Sequence, residues 1–268
     1  MQRRPSSSTF FSANPVFGRT ELAESLGRYP GDRAVTELLK YHLRTGSFRR
    51  IARGVFASAA KGALPATRTV DRFLAASRLR IGAVIAYRSA LELHGCAVAG
   101  TREVQLISCG EPGLVETANF ACRFLSPPRH HSPGEGVTTV ERQGLAVNVT
   151  TLGRTLVDLF DRYKLAGGAQ ELFQSLDIVA ESTGGVDIDS LVAFAGRLRN
   201  AAAAGALGYW LECERDRLRV PAAALEELRS LASRQSRYAI GATPGQGRAA
   251  TGWNVILPDS IIERYVDD

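Results

Sequence analysis

The side chains best suited to chemistry in this 268-residue sequence are basic and polar groups between positions 33 and 53. One set lies on a single face of a predicted helix and the other flanks a glycine turn. The helix set is Arg33, Thr36, Glu37, Lys40 and Arg44, and the turn set is Arg49, Arg50 and Arg53. Arginine and lysine donate to guanine edges and phosphates, and a carboxylate can accept from cytosine N4. These residue types therefore suit the recognition of duplex DNA.

The charge of the chain is concentrated near its N-terminus. Residues 1–58 contain ten Lys/Arg and four Asp/Glu, a net charge of +6, which is the net charge of the whole chain. The other 210 residues contain 23 basic and 23 acidic groups and are neutral as a set. A basic terminus on a neutral remainder is typical of nucleic-acid-binding proteins. The alternative is a solvated basic surface without a ligand.

Local patterns predict two helices before the turn set. Thr20 can cap a short helix from Glu21 to Leu26, which Gly27 ends. After a turn at 28–31, Asp32 can cap a second helix over Arg33–Thr45. The buried stripe of this second helix is predicted to consist of Val35, Leu38, Leu39, His42 and Leu43.

Residues 48–57 predict two short strands around a turn in which Gly54 takes a positive φ. A helix, a turn, a longer helix and a basic hairpin follow one another in a winged helix-turn-helix. In that arrangement a helix about 18 Å long lies in the major groove and the hairpin contacts phosphates or the minor groove. A small helical subdomain for dimerisation is the alternative. We therefore predict a basic flexible arm over 1–16 and a winged helix-turn-helix over 17–60.

The remaining residues, 61–268, predict one larger mixed α+β domain after a linker at 59–69. Helices are expected at Asp71–Leu79, Ile81–Ile85 with Ser89–His94, from Leu152, and at Ala169–Ala180, Asp187–Arg199, Ala201–Cys213 and Ala222–Ala232. Strands are expected at Glu103–Ser108, Ala121–Leu125, Val137–Glu141, Leu145–Thr150 and Trp253–Leu257. Strands and helices do not alternate as in a Rossmann sheet, so the predicted fold class is α+β.

The residues that could support catalysis or metal binding are scattered. The four cysteines, Cys96, Cys109, Cys122 and Cys213, form no C-x-x-C pair, so we expect buried thiols in a reducing compartment rather than disulfides or a zinc site. His130 and His131 fall in a Pro-rich segment, 126–134, that is predicted to be an exposed loop. Arg154 and Asp158 are spaced to pair on a helix surface. We therefore expect no catalytic residues, no metal and no cofactor, and interpret the chain as a non-enzyme.

Three other segments have structural interpretations. His94-Gly95-Cys96 predicts a helix-end histidine beside a buried cysteine, since a base two residues from a thiol is poorly positioned. The glycine-rich segment 241–248 lacks the Lys-Ser/Thr of a P-loop, although its backbone and Arg248 could bind an anion. Asp187 and Asp189 predict a helix cap rather than a magnesium site.

The sequence also bears on location. The basic, serine-rich start lacks the apolar core of a secretory signal. No uncharged apolar stretch approaches the roughly twenty residues that cross a bilayer. A cytoplasmic protein without membrane contact is the expectation.

Four segments, taken together and in this order, resemble the AbiEi family of antitoxins, the regulator half of bacterial abortive-infection toxin–antitoxin pairs. They are Arg50–Phe56, Ser89–Gly95, Val149-Thr150 with Arg154–Leu159, and Leu207–Glu212. The resemblance extends over nearly the whole chain from about Phe17. It implies a winged helix that represses its own operon by binding inverted repeats in promoter DNA, with a homodimer on that DNA as one form. It further implies a C-terminal domain that counters a nucleotidyltransferase-like toxin, with or without direct contact.

Two other functions stay open at this point. One is a stand-alone winged-helix transcriptional regulator whose C-terminal domain dimerises or senses a ligand. The other is an enzyme acting on nucleic acid, since similar front halves can precede a restriction-type nuclease domain. The C-terminal segment 253–259 has no carboxylate cluster of the kind that metal-assisted cleavage needs, which argues against the nuclease.

Overall fold

The computed structural model describes residues 7–58, 70–98, 100–128, 130–131, 134–182 and 185–265, and the fold is α+β. The linker predicted at 59–69 and the first six residues of the predicted arm lie outside the described residues. The described helices are α1 (Ser7–Ala13), α2 (Arg19–Ser25), α3 (Arg33–Arg44), α4 (Arg72–Ser77), α5 (Tyr87–Leu93), α6 (Leu152–Asp161), α7 (Ala169–Glu181), α8 (Ile188–Leu198), α9 (Ala201–Cys213), α10 (Arg215–Leu218), α11 (Ala222–Leu231) and α12 (Asp259–Ile262).

Within the described ranges the strands form three sheets. They are β1 (Val16–Gly18), β2 (Phe48–Ala52), β3 (Val55–Ser58), β4 (Val84–Ile85), β5 (Glu103–Ile107), β6 (Gly113–Glu116), β7 (Ala121–Leu125), β8 (Val137–Arg142), β9 (Leu145–Thr150), β10 (Arg237–Tyr238), β11 (Arg248–Ala250) and β12 (Val255–Leu257). The sheet orders are β1-β3-β2, β6-β7-β5-β4-β9-β8 and β10-β12-β11. Strands β5 and β7 pair in parallel, whereas β4 with β5 and β6 with β7 are antiparallel.

The chain divides into two compact units. Unit 1 comprises residues 1–85, 102–125 and 139–148, and unit 2 comprises residues 86–101, 126–138 and 149–268. Unit 1 therefore draws on three separate stretches of chain. The domain boundary that we predicted at position 60 does not coincide with a boundary between these units.

The N-terminal part of unit 1 is built around an aromatic core. Strands β2 and β3 form an antiparallel hairpin with Gly54 at φ 79°, and β1 pairs with β3. The predicted stripe of α3 faces inward, with Val35 and Leu39 buried and the other three residues half-buried. The His42 ring packs 4.5 Å from that of Phe48, as the core-filling interpretation of this histidine expects. The Asp32 carboxylate caps α3 by accepting from the Ala34 amide at 2.7 Å.

Two predictions for this region were wrong. Residues 7–13, which we assigned to a flexible arm, form helix α1, because Phe10 and Phe11 pack on the core and the Phe11 and Phe48 rings lie 4.6 Å apart. Helix α2 begins at Arg19 rather than after a Thr20 cap. The Glu21 carboxylate accepts from the Gly18 amide at 2.6 Å, which satisfies one of the free N–H groups at the helix start.

Unit 2 is mainly helical. Every residue of α6 from Gly153 to Phe160 is buried, and α9 contributes the fully buried Trp210. Near the C-terminal end of α9, the Glu212 carboxylate accepts from the Trp253 indole N–H at 2.6 Å. Helix α9 spans the residues predicted for it, and α7, α8 and α11 match their predictions to within one residue at each end.

Replacing Gly208 with alanine is expected to destabilise unit 2 by about 1–3 kcal/mol, because the interior there has no room for a methyl group. A Cβ at Gly208 would fall inside the contact distance of the buried Trp253 ring. Gly196→Ala in α8 is the matched control, since its Cβ would lie 3.7 Å from Leu231, an ordinary contact. That control should be neutral or more stable by about 0.5–1 kcal/mol. Chemical denaturation of both variants measures the difference, and equal stabilities would contradict the packing argument.

Candidate nucleic-acid interface

Charge differs strongly between the two units. Unit 1 contains 18 Lys/Arg and 9 Asp/Glu, a net charge of +9, and unit 2 contains 15 and 18, a net charge of −3. The charge difference between the units is larger than the difference between residues 1–58 and the rest of the chain. The reason is that unit 1 also contains basic residues beyond position 58, such as Arg72, Arg78 and Arg80. The basic character of the N-terminal region thus extends to unit 1 as a whole, whereas unit 2 is acidic.

Four of the five predicted helix residues share one exposed face of α3. Arg33, Glu37, Lys40 and Arg44 are all exposed, and their spacings of four, three and four residues set them along a single line of the helix. The apolar stripe occupies the opposite side, with Val35 and Leu39 buried. The amphipathic pattern of the sequence therefore suffices to predict this surface.

Glu37 and Lys40 interact with each other on that face. Lys40 Nζ lies 2.9 Å from Glu37 Oε1, and both side chains are exposed. A hydrogen bond from the Lys40 ammonium holds the pKa of the Glu37 carboxyl below its usual value. Glu37 can accept from a cytosine amino group only by giving up or sharing this ion pair.

Thr36 is engaged inside the unit. Its hydroxyl accepts from Arg19 Nη2 at 2.5 Å and donates to the Asp32 backbone oxygen at 3.1 Å. Arg19 Nε also donates to the Pro30 backbone oxygen at 2.5 Å, so the Arg19 guanidinium links α3 to the turn that precedes it. The sequence pattern missed this role of Arg19, which lies 17 positions from Thr36 and carries no local signal for the contact. We assign Thr36 to the support of the helix.

The three hairpin arginines have different positions. Arg49 and Arg50 are consecutive residues of β2 and therefore lie on opposite faces of the sheet. The Arg50 guanidinium lies 5.9 Å from the centre of the Phe56 ring, at the rim of the aromatic core. Arg53 is exposed in the turn next to Gly54. A ligand approaching from one side can thus meet Arg53 together with one of the two strand arginines.

A buried polar cluster lies in unit 2, where the sequence predicted exposed groups. The side chains of His131, Arg154 and Asp158 have no exposed surface. Arg154 Nε donates to Asp158 Oδ2 at 3.4 Å, and Arg154 Nη1 donates to the Glu135 backbone oxygen. His131 Nδ1 lies 3.2 Å from Asp158 Oδ1, and its Nε2 lies 3.2 Å from the Phe194 backbone oxygen.

Two predictions are corrected by this cluster. His131 is buried rather than in an exposed loop, whereas His130 is exposed. Arg154 and Asp158 do pair, but in the interior, because α6 is covered by neighbouring elements and its polar groups must satisfy one another there. Pairing between buried polar side chains rigidifies a core, which indicates a structural role for this cluster.

The remaining candidates for chemistry have structural contacts. His94 Nε2 lies 2.7 Å from the Thr150 backbone oxygen, and burial raises the pKa of the neighbouring Cys96 thiol. Cys96 and Cys122 are buried as predicted, whereas the prediction was wrong for Cys109 and Cys213, which are exposed. Arg248, in the glycine-rich segment, pairs with Asp259 and Glu263 at 3.2 and 2.7 Å. Asp187 caps α8 through the Ser190 amide at 3.0 Å.

The described residues were also searched for metal-binding groups and for membrane-spanning helices. They contain no group of three or more His, Cys, Asp or Glu side chains arranged to hold a metal ion. Among the same residues, none of the helices has the length and apolar character required to span a bilayer.

Comparison with known proteins defines the class of fold. No protein-family model matches the chain, and no curated protein matches it. Among solved structures, the chain is similar to the crystal structure of the RV2827C protein from Mycobacterium tuberculosis, with a TM-score of 0.60 and 16% sequence identity. The match covers 100% of this chain and 97% of that chain. At this identity the likeness concerns the α+β fold alone.

Proposed function

We propose that this chain is a DNA-binding regulator that contacts duplex DNA through unit 1. The observation that carries the proposal is the exposed basic face of α3 next to a basic hairpin, in a unit of net charge +9. Positive charge concentrated on one unit attracts the phosphate backbone, and this attraction supplies most of the affinity of non-specific binding. The acidic unit 2 would be repelled by the same backbone, so unit 1 is the better candidate for the DNA contact.

The order of elements supports the winged helix-turn-helix interpretation. Helix, strand, two helices and a two-stranded hairpin follow one another from Ser7 to Ser58, and the strands form a sheet in the order β1-β3-β2. Helix α3 has 12 residues, about 18 Å of length, which suits the major groove. In this arrangement α3 is the recognition helix and the β2–β3 hairpin is the wing.

We further propose that the DNA is the promoter of the chain's own operon, and that the chain is an antitoxin that counters a nucleotidyltransferase-like toxin through residues of unit 2. The support is the AbiEi resemblance of the four segments. Several residues of these segments, including Ser89, Arg154 and Trp210, are buried and have structural roles. Antitoxic residues are therefore to be sought on the exposed surface of unit 2 rather than within these motifs.

The stand-alone regulator is the second candidate, and a specific observation favours it. Unit 2 contains an open cavity of about 590 Å³, a size that fits a small-molecule ligand. A regulator that senses a ligand needs such a cavity, whereas an antitoxin does not. A toxin gene next to the gene of this chain, with rescue of toxin-expressing cells, would distinguish the antitoxin.

The decisive experiment for the proposal measures binding to the chain's own upstream DNA and to a scrambled duplex of equal length, across a salt series. We expect tight, salt-sensitive binding with a preference for the upstream sequence. Point variants are preferable to a truncation near residue 60, because residues 70–85, 102–125 and 139–148 belong to the same compact unit as α3. Equal affinity for both duplexes would contradict a sequence-specific regulator.

Replacement of either Arg33 or Lys40 by alanine is expected to weaken binding to the upstream DNA by about 1–3 kcal/mol, if that side chain donates to a base edge. The affinity for the scrambled duplex should change much less, because base contacts carry the specificity. The matched controls are Arg234→Ala and Lys164→Ala, which remove exposed cations from unit 2. Equal losses on both duplexes would assign Arg33 and Lys40 to phosphate contacts instead.

A further inference from the structure

The open cavity in unit 2 is lined by three arginines that come from different elements. Arg162 follows α6, Arg199 follows α8, and Arg237 lies on β10. Leu198 and Ala202 contribute apolar wall, and the cavity has a volume of about 590 Å³. The arginines are 37 and 38 positions apart in sequence, so only the fold brings them together.

The charge of the cavity is opposite to that of the unit that contains it. Unit 2 has a net charge of −3, yet the lining has three guanidinium groups and a single carboxylate, that of Asp161. Asp161 is already engaged, because its Oδ1 accepts from Asn200 Nδ2 at 2.7 Å and its Oδ2 lies 3.5 Å from Arg162 Nε. The His130 imidazole also lines the cavity. The lining is therefore cationic.

One of the three arginines is held in place before any ligand arrives. Arg162 Nη1 donates to the Tyr87 hydroxyl at 2.9 Å and to the Ser126 backbone oxygen at 3.0 Å. Arg162 lines the cavity while it makes these contacts. A fixed guanidinium loses little conformational entropy when it binds an anion.

The other two arginines are exposed, and the start of α9 beside them is already capped. Arg199 and Arg237 are exposed side chains. Asn200 Oδ1 accepts from the Ala202 and Ala203 amides at 3.1 and 3.2 Å, which satisfies those two N–H groups at the N-terminus of α9. Any anion in the cavity would therefore be bound by guanidinium groups rather than by these amides.

We propose that this cavity binds the phosphates of a small oligophosphate, with a nucleoside triphosphate as the representative ligand. Guanidinium groups bind phosphate oxygens, and Arg199 and Arg237 can do so in bidentate pairs. Three guanidinium groups and the Asp161 carboxylate give the lining a net charge of +2, which suits a small polyanion. The concave shape and the volume suit a small molecule better than a duplex. Binding here goes beyond DNA recognition by unit 1 and would make unit 2 a sensor domain.

The test measures binding of ATP, GTP, inorganic triphosphate and adenosine to the full chain by calorimetry at low salt. We expect saturable binding of the three phosphate compounds and none of adenosine. Arg199→Ala and Arg237→Ala should each weaken binding by about tenfold, since each removes a charge-assisted contact. Arg219→Ala is the matched control, because Arg219 is also an exposed arginine that ends a helix at φ 54°, as Arg199 does, but it does not line the cavity.

Equal affinities for ATP, GTP and inorganic triphosphate would support recognition of the phosphates alone, and tighter binding of one nucleotide would support recognition of its base as well. Absence of binding, or equal affinity in the Arg199, Arg237 and Arg219 variants, would overturn the proposal. The proposal would also be overturned if a short single-stranded RNA bound through Arg199 and Arg237 while the small oligophosphates did not bind. Binding of promoter DNA is measured separately on unit 1 variants, so failure here leaves the proposed DNA-binding function testable.

Discussion

Replacing Asp158 with alanine is expected to lower the free energy of unfolding of the chain by about 3–5 kcal/mol, because it leaves a buried cation without its counter-charge. Asp158 accepts from Arg154 Nε and lies 3.2 Å from His131 Nδ1, and none of these side chains is exposed. Denaturant titration followed by circular dichroism measures the change. The midpoints of unfolding can be compared if the dependence of the unfolding free energy on denaturant concentration has the same slope in the variant and the unaltered chain.

The control for this prediction is Asp177→Ala. Asp177 also pairs with an arginine, Arg264, but both side chains are partly exposed, so the loss should stay within about 1 kcal/mol. A double variant, Arg154→Met with Asp158→Leu, should recover much of the stability lost in Asp158→Ala, since apolar replacement of both partners removes the desolvation penalty as well as the attraction. Equal stabilities of Asp158→Ala and Asp177→Ala would show that the cluster is not the buried network described above.

Simultaneous replacement of Arg49, Arg50 and Arg53 with alanine is expected to weaken binding to all duplex DNA by about a hundredfold at 0.1 M salt. The reason is that each phosphate contact releases condensed counterions. Because Arg49 and Arg50 lie on opposite faces of β2, we expect two lost contacts rather than three. The slope of log affinity against log salt should therefore become shallower by about two. Fluorescence anisotropy over a salt series measures both quantities.

A second triple variant separates phosphate contact from net charge. Arg215, Arg217 and Arg219 are three exposed arginines of unit 2, and their replacement with alanine removes the same charge. This variant should retain nearly the affinity and the salt slope of the unaltered chain. Similar losses of affinity in both triple variants would mean that the hairpin arginines act only through the net charge of the chain. An unchanged slope of log affinity against log salt in the hairpin variant would mean that the hairpin does not contact phosphates.

Local signals in the sequence were sufficient to predict the bounds of an element where that element depends mainly on its own residues. Helix α9 and strands β7 and β9 have the predicted bounds, because their apolar spacing and flanking turn residues lie within the segment itself. The Asp32 and Asp187 caps were predicted for the same reason, since a cap contacts amides only two or three residues away. The exposed face of α3 follows from the periodicity of its apolar stripe.

Elements that depend on distant partners were missed. Residues 84–85 form strand β4 instead of the predicted helix, because the segment pairs with β5, more than twenty residues further along the chain. Strand β6 has no strong local pattern, with mostly exposed residues, and it exists through its pairing with β7. Helix α1 is short and serine-rich, and the packing of its phenylalanines on Phe17 and Phe48 stabilises it.

The sequence by itself determined where the basic groups are concentrated, which face of α3 they occupy and that the fold is α+β. Only the tertiary structure decided which polar groups already have partners: Thr36 is engaged by Arg19, and His131 by Asp158, 27 positions away. It also decided that Arg162, Arg199 and Arg237 line one cavity. The physical reason is that periodicity and capping depend on neighbours within a few residues, whereas burial and hydrogen bonding depend on groups that are distant in sequence and that only folding brings together.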